Sequence, residues 1–520
     1  MVLEPVDYAL VAIYAAALLA LATWISLRDG KAAQDTSDYF LAGRALPWWA
    51  IGSSLIAANI SAEQVIGMSG SGYAIGLAIA SYEWMSAITL LIVAKFFLPI
   101  FIRQRIDTMP QFLEQRYNAS VRTVMAVFWL GVFTFINLTS ILWLGALTIE
   151  TVTGFDLFHA MLALAGFALL YSVYGGLRAV ALTDIVQVVM LVLGGLLIAC
   201  ITLDEVGGGA GALTGFAALV EQAPQKFNLI LSPTDEGYQF MPGFSVLLGG
   251  LWVMNLSYWG FNQYIIQRAL GAISIEEAQK GLLFAAFLKL LMPLLVVLPG
   301  IAAFVLLPDL ERADAAYPTL LGMAPAGARG VILAALIAAI VSSLGSMMNS
   351  IATIFTLDLY RPHTAERSER HYVAVGRIAA TAALVVAVAS ARPLLGDADQ
   401  AFQWLQEFTG FFTPGVVTLF LLGLFWKRTN AAGAFSAAIG SVMLSLLFKW
   451  WLPDIPFMNR VALVFLACAA LAVVVSLLTS RQASPKALDN AQTDFGTSRA
   501  FNLGAAIIMA LLIFLYWFWW

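Results

Sequence analysis

Charge is scarce in this chain. Of its 520 residues only 11% are charged, while 61% are hydrophobic. A water-soluble protein of that length needs a more polar surface, so the medium is a bilayer. The net charge of −4 offers no basic surface for nucleic acid. Cysteine is almost absent: Cys200 and Cys468 both lie in apolar runs, which excludes a disulfide framework. The three histidines, His159, His363 and His371, have no metal-ligand spacing, so no metalloenzyme site is expected. No polar stretch is long enough for a soluble kinase, nucleotide-binding or receptor domain, and nothing points to an obligatory protein partner.

What is abundant is the apolar run of about 20 residues, the length that crosses a hydrocarbon core of about 30 Å. Fourteen are expected, over 6–26, 47–70, 74–102, 121–150, 156–174, 180–203, 243–268, 280–307, 328–358, 372–390, 398–426, 430–450, 460–479 and 500–520. The first is read as a retained spanning helix, because its leading region holds Glu4 and Asp7 and no Lys or Arg. One set of loops (27–46, 103–122, 175–179, 268–280, 359–371, 427–429, 480–499) carries 18 Lys and Arg, and the opposite set (204–242, 308–328, 391–399, 449–460) carries 5. The positive-inside rule makes the first set cytoplasmic and puts both termini outside.

Two spans look interrupted. AANISAEQVIGMSGSG breaks 47–70, and NLSYWGFNQYIIQR breaks 243–268 with Asn255, Ser257, Asn262 and Gln263. Unpaired polar groups in hydrocarbon are costly and are tolerated where they line a protein cavity. Interrupted spans at corresponding positions, five apart, indicate two inverted five-helix repeats, 47–203 and 243–426, with a binding site between them. The run 6–26 is then an extra N-terminal helix, and 430–520 holds three C-terminal helices.

Glu63, Glu83, Lys95, Asp184, Lys289 and Glu407 lie deep in spans, at about 2.5–3.5 kcal/mol each near a helix centre. Such groups either serve a site or pair with one another. Glu83 and Ser86 share a helix face, as do Phe402 and Gln406. Glu83 and Lys289 are expected to face one cavity and balance each other, with the amides of Gln64 and Asn255 beside them. Amides and a neutralised ion pair suit a neutral polyol, and Tyr258 or Trp259 offers a ring for the apolar face of a sugar. In ALIAAIVSSLGSMMNS, Ala339, Ser342 and Ser343 lie at i, i+3, i+4, which suits a hard monovalent cation and equally suits small-residue helix packing.

With these residues laid out, the chain resembles the sodium/solute symporter family, and within it the bacterial sodium/galactose (sodium/glucose-type) symporters. The resemblance runs through nearly the whole chain. It rests on ISAEQVIGMSGSGY, IASYEWMSAITL, YGGLRAVALTDIVQ, NLSYWGFNQYIIQR, EAQKGLLFAAFLK, AAIVSSLGSMMNS and AFQWLQEFTG, in that order. It implies an all-α polytopic fold of 14 transmembrane helices, with a 5+5 inverted-repeat core of LeuT type and two discontinuous helices. It implies Na⁺-coupled sugar symport across the bacterial inner membrane, and no enzymatic activity. Gln64, Glu83, Ser86, Asn255, Lys289 and Gln406 would bind sugar. Tyr258 with Trp259 would gate the inner side, and Met68 with Phe402 the outer. Asn59 would support Tyr258, and Asn137 would support Gln64. Na⁺ would take Ala57, Ile60, Ala339, Ser342 and Ser343, with Asp184 on its path. Ser257 departs from the family pattern, which has a second tyrosine there, and Arg178 stands where a small residue is expected.

Rival readings are a symporter for inositol, an amino acid or a carboxylate, and a sugar-gated channel or sensor. An intramembrane enzyme would need a nucleophile–base set beside Glu83 and Lys289, and none is visible.

Overall fold

The computed structural model describes residues 3–28, 44–396, 400–480 and 482–520; the side chains of 22–28 and 171–183, Arg178 included, lie outside the description. Helices account for nearly all of it. The ones that matter to the site are α1 (Pro5–Arg28), α2 (Trp48–Asn59), α3 (Met68–Ala74), α4 (Ser81–Ile92), α5 (Leu157–Val206), α6 (Gly250–Asn255), α7 (Gln263–Leu270), α8 (Ile275–Met292), α9 (Leu298–Leu306), α10 (Ala328–Ile354), α11 (Ala401–Gly410) and α12 (Thr413–Phe425). Among the described residues nine helices are long and apolar enough to cross a membrane, or up to eleven if two bent pairs each count as one span.

The difference from fourteen has local causes. The spans expected at 156–174 and 180–203 lie within one uninterrupted helix, α5, so the loop expected at 175–179 is helical instead. The span 47–70 is cut at Ile60, and neither piece is long enough alone. The span 398–426 carries an unexpected break: α11 and α12 meet at 48°. The helical segments either side of Gly249 meet at 82°, above the break expected at NLSYWGFNQ.

Each break expected from sequence has a polar residue that restarts the helix. After α2 the backbone turns at Ile60 (φ −76°, ψ 77°). The Ser61 hydroxyl then accepts from the Glu63 amide at 3.2 Å, and its carbonyl accepts from Gln64 and Val65. Asn262 is extended (φ −84°, ψ 122°) and its side chain caps α7 by accepting from the Tyr264 amide. Both breaks also contain wide π-helical turns, Glu63–Gly67 and Leu256–Phe261, a feature common at functional sites. Below the second break, Phe97, Phe261, Phe420 and Phe112 stack in series with centroids 5.1, 4.5 and 5.4 Å apart.

Beyond the first break, α3 runs backbone-close against α9. A Cβ on Gly300 would lie 2.1 Å from the Ser69 carbonyl oxygen, and one on Gly72 would lie 2.7 Å from that of Val297. Only glycine permits that approach, and it explains the small-residue string MSGSG.

Loop contacts sort into two ends of the bundle. At one end Tyr73 donates to the Pro308 carbonyl at 3.1 Å, Lys226 to Ala74 at 2.7 Å, Leu229 to Trp519 at 2.9 Å, and Gly327 to Asp7 at 2.8 Å. At the other, Arg103 reaches Thr493 at 3.0 Å, Arg44 pairs with Asp107 at 2.7 Å, and Lys486 reaches Glu114 at 3.1 Å. Asp7 and Trp519 therefore sit with the loops 308–328 and 204–242.

Candidate functional site

The two interrupted helices and α11 enclose a cavity with about 730 Å³ of empty space, open solvent included. Five of the six expected sugar residues line it: Gln64, Glu83, Ser86, Asn255 and Gln406. So do Tyr258, Trp259, Phe402, Asn59 and Asn137. The wide turns deliver several of them, since Gln64, Asn137, Tyr258 and Trp259 all sit on π-helical segments.

Two expected residues stand elsewhere. Lys289 is fully buried behind the wall. Its ammonium bonds Glu83 Oε2 at 2.5 Å and the Asn59 side-chain oxygen, and lies 5.0 Å from the centre of the Trp259 ring. The ion pair is present, but only its carboxylate faces the cavity. The reason is charge: a bare ammonium is stable here only when wrapped by acceptors and a ring face. Met68 is likewise fully buried and does not line the cavity. Its neighbour Gly67 lies close against Phe402: a Cβ there would be 2.9 Å from the Phe402 Cβ. Phe402 is 1% exposed and meets Tyr82 edge-on at 5.4 Å, so this side of the cavity is shut by Phe402 on Gly67 and Tyr82.

Polar contacts around the cavity are only partly satisfied by the protein. The Ser86 hydroxyl donates to Asn255 Oδ1 at 2.6 Å, and Asn59 donates to the Tyr258 hydroxyl at 3.1 Å. Yet Gln64 Oε1, Asn137 Oδ1, Asn255 Nδ2 and Glu63 Oε1 are buried with no partner from the protein. No hydrogen bond joins Asn137 to Gln64, contrary to the expected support. Buried polar groups are normally bonded, so orphaned atoms on a cavity wall mark where a polar ligand would bind. Donors and acceptors are both represented, on the amides of Gln64, Asn137 and Asn255 and the carboxyl of Glu63, while the Glu83 carboxylate beside them is balanced by Lys289.

A second constellation lies where the end of α2 faces α10. Ser343 donates to the Ala58 carbonyl at 3.2 Å and approaches that of Ala57 at 3.5 Å. Ser342 bonds Asp184, whose other oxygen accepts from Ser54 at 2.6 Å. Ala339 and Ile60 are buried on the two facing segments. Past Ile60 the amides turn to Asn59 and Ser61, so the Ala57 and Ala58 carbonyls draw their donors from side chains. An all-oxygen set of hydroxyls and freed carbonyls suits a hard monovalent cation.

Sequence reasoning missed Tyr82, Met254, Leu405, Thr409 and Thr413 on the cavity wall. Thr409 was within reach, three residues after Gln406 on one helix face. Near the carbonyls it missed Ser54, Tyr264 and Arg268. Arg268 donates to Ser54 at 2.8 Å and bonds Ser346 and the Tyr264 carbonyl. Glu407, read as a deep charge, instead pairs with Lys449 at 3.0 Å and Arg460 at 3.1 Å.

Comparison with known proteins gives a consistent set of relatives. The model of the "Sodium:solute symporter family" matches residues 39–440. The sodium/glucose cotransporter of Vibrio parahaemolyticus is 50% identical over 535 aligned positions, covering 99% of this chain and 98% of that one. The sodium/myo-inositol cotransporter 2 of Mus musculus is 34% identical over 476 positions, covering 86% and 70%. Among solved structures, a Na⁺-coupled sialic acid symporter in a substrate-bound outward-open state superposes with a TM-score of 0.80 at 24% identity, over 92% of this chain and 98% of that one. A nucleobase-cation-symport-1 family transporter follows at a TM-score of 0.53 and 12% identity, over 91% and 99%. At such identities the two structures speak to the fold alone.

Proposed function

The chain belongs to the sodium:solute symporter family, and we propose that it carries a neutral sugar of the galactose or glucose type across the membrane together with Na⁺, by alternating access. The observation that carries this reading is the set of orphaned amide and carboxylate atoms on a wall whose one ion pair is internally neutralised. An anionic solute would need an unspent Arg or Lys, and Lys289 is spent on Glu83 and Asn59. The half-identical sodium/glucose cotransporter supports the same substrate class.

In this reading Gln64, Glu83, Ser86, Asn255 and Gln406 bond sugar hydroxyls, and Lys289 acts through Glu83 and Asn59. Tyr258 lies under the sugar as the inner gate with Trp259, and Phe402 closes the outer side beside Met68. Na⁺ is cargo held by Ala57, Ile60, Ala339, Ser342 and Ser343, and Asp184 lies on its path. The core comprises inverted repeats 47–203 and 243–426, and the chain crosses the bacterial inner membrane with both termini extracytoplasmic. The paired breaks and the Lys/Arg bias support that topology.

A panel of labelled sugars in proteoliposomes, with and without a Na⁺ gradient, tests the function. Uptake is expected to be electrogenic. A potential of about 100 mV contributes about 2.3 kcal/mol per charge and a tenfold Na⁺ gradient about 1.4 kcal/mol, which at one Na⁺ per sugar limits accumulation to roughly 500-fold. Uptake indifferent to both Na⁺ and potential defeats the reading. A second reading, myo-inositol, is favoured by the 34% identical relative and the same polyol chemistry; accumulation of inositol over hexoses in the panel selects it.

A further inference from the structure

A single run of hydrogen bonds joins the cavity to the Ala58 carbonyl, and its last donor, Tyr264, has no part in the roles above. Tyr264 is the second residue of α7 and is 3% exposed. Its ring is held edge-on by Phe133 at 6.1 Å and by Tyr258 at 5.9 Å. Its hydroxyl bonds the Ala58 carbonyl at 3.2 Å, the same oxygen that Ser343 reaches at 3.2 Å, and also meets the Tyr258 hydroxyl.

The direction of these bonds follows from chemistry. A carbonyl only accepts, so Tyr264 gives its one proton to Ala58. Tyr258 must then donate to Tyr264. Tyr258 accepts from the Asn59 amide at 3.1 Å, and the Asn59 side-chain oxygen accepts from Lys289, which bonds Glu83 on the cavity wall. From Lys289 to Ala58 every donor points the same way.

Resting on the symport reading, we propose that Tyr264 is the positioning residue that couples sugar binding to Na⁺ binding. A cation at Ser343 and Ala57 takes the Ser343 lone pair and turns its proton away from the carbonyls. Ala58 is left with Tyr264 as its side-chain donor. That bond tightens, which fixes the Tyr258 hydroxyl and the ring under the cavity in the sugar-ready position. The same chain works in reverse: sugar on Glu83 and Tyr258 orders Asn59 and Tyr264, and so holds the carbonyls ready for Na⁺. Coupling between sites is reciprocal by thermodynamic necessity.

The test is equilibrium binding of labelled galactose, or of the panel sugar that is accumulated, at zero and saturating Na⁺. Wild type is expected to gain affinity by about 5–150-fold, while Tyr264→Phe keeps the Na⁺-free affinity within about twofold and gains less than about threefold. Na⁺ titrations with and without sugar must show the same loss of coupling. Tyr258→Phe removes the adjacent hydroxyl and must show the same reduced gain from Na⁺, whatever its Na⁺-free affinity. The double variant must lose nothing further, since links of one chain are not additive. If Tyr264→Phe fails to fold, Tyr258→Phe carries the test alone. A wild-type gain retained in the folded variant overturns the inference. So does an equal loss of sugar affinity at both Na⁺ levels, which makes Tyr264 a packing residue. A wild type that gains nothing from Na⁺ defeats the symport reading itself, and is thereby told apart from failure at Tyr264.

Discussion

Lys289 Nζ lies 2.5 Å from Glu83 Oε2, with both side chains no more than 2% exposed. The pair leaves one carboxylate oxygen for the cavity and none of its charge unbalanced. Removing one partner strands the other: Glu83→Ala and Lys289→Ala are each expected to abolish uptake and lower stability by about 3–5 kcal/mol. The double variant Glu83→Gln/Lys289→Met removes both charges at similar volume, and should recover the unfolding midpoint in detergent while uptake stays lost. Uptake by the double variant would take the pair out of the transport cycle.

Tyr258 presents its ring to the cavity and its hydroxyl to Asn59 and Tyr264. Tyr258→Ala is expected to weaken sugar binding at every Na⁺ concentration, because it removes the covering face, by about 1–3 kcal/mol for a buried ring of this kind. Tyr258→Phe keeps that face and should keep the Na⁺-free affinity. Equal Na⁺-free losses in the two variants, measured by equilibrium binding, would assign the sugar contact to the hydroxyl.

Gly67 is where Phe402 seats. A side-chain carbon there would lie 2.9 Å from the Phe402 Cβ, an atom that moves only with its backbone, so turning the ring cannot relieve the clash. Gly67→Ala should cost about 1–3 kcal/mol in the state closed by Phe402. The expected phenotype is slow net uptake with sugar binding retained. Wild-type turnover in proteoliposomes would show that Phe402 does not need this seat.

Ser343 bridges α10 to the Ala57 and Ala58 carbonyls at the end of α2. Ser343→Ala deletes one oxygen and is expected to raise the Na⁺ concentration for half-maximal uptake several-fold, with rescue at high Na⁺. The cost of one such bond is about 0.5–1.5 kcal/mol. An unchanged Na⁺ midpoint, together with weaker sugar binding at saturating Na⁺, would move the cation elsewhere and make Ser343 a packing or sugar residue.

Much of the site was readable from sequence because polarity is so conspicuous in an apolar helix. Asn255, Gln64 and Glu83 interrupt apolar runs, and an interruption in hydrocarbon needs a reason. The pairs Glu83 with Ser86 and Phe402 with Gln406 followed from helical spacing, and all four line the cavity. The bend at Phe411–Phe412 was missed, although FTGFFTPGV places Gly410 just before it and Pro414 just after it, both signals of a helix boundary. Tyr264 and Arg268 looked like the end of a span near the cytoplasmic loop, and nothing local distinguishes them from interfacial residues.

Composition and periodicity by themselves determined the medium, the helical class, the two breaks and the polar inventory of the cavity. Each depends only on neighbours along one helix or on bulk transfer to lipid. What tertiary structure decided is how that inventory is divided. It set Lys289 behind the wall, seated Phe402 on Gly67, and gave Ala58 donors from both Ser343 and Tyr264. Those outcomes depend on distances between helices far apart in sequence. A buried charge or carbonyl takes whichever partner packing brings within about 3 Å, and spacing along the chain carries no record of that choice.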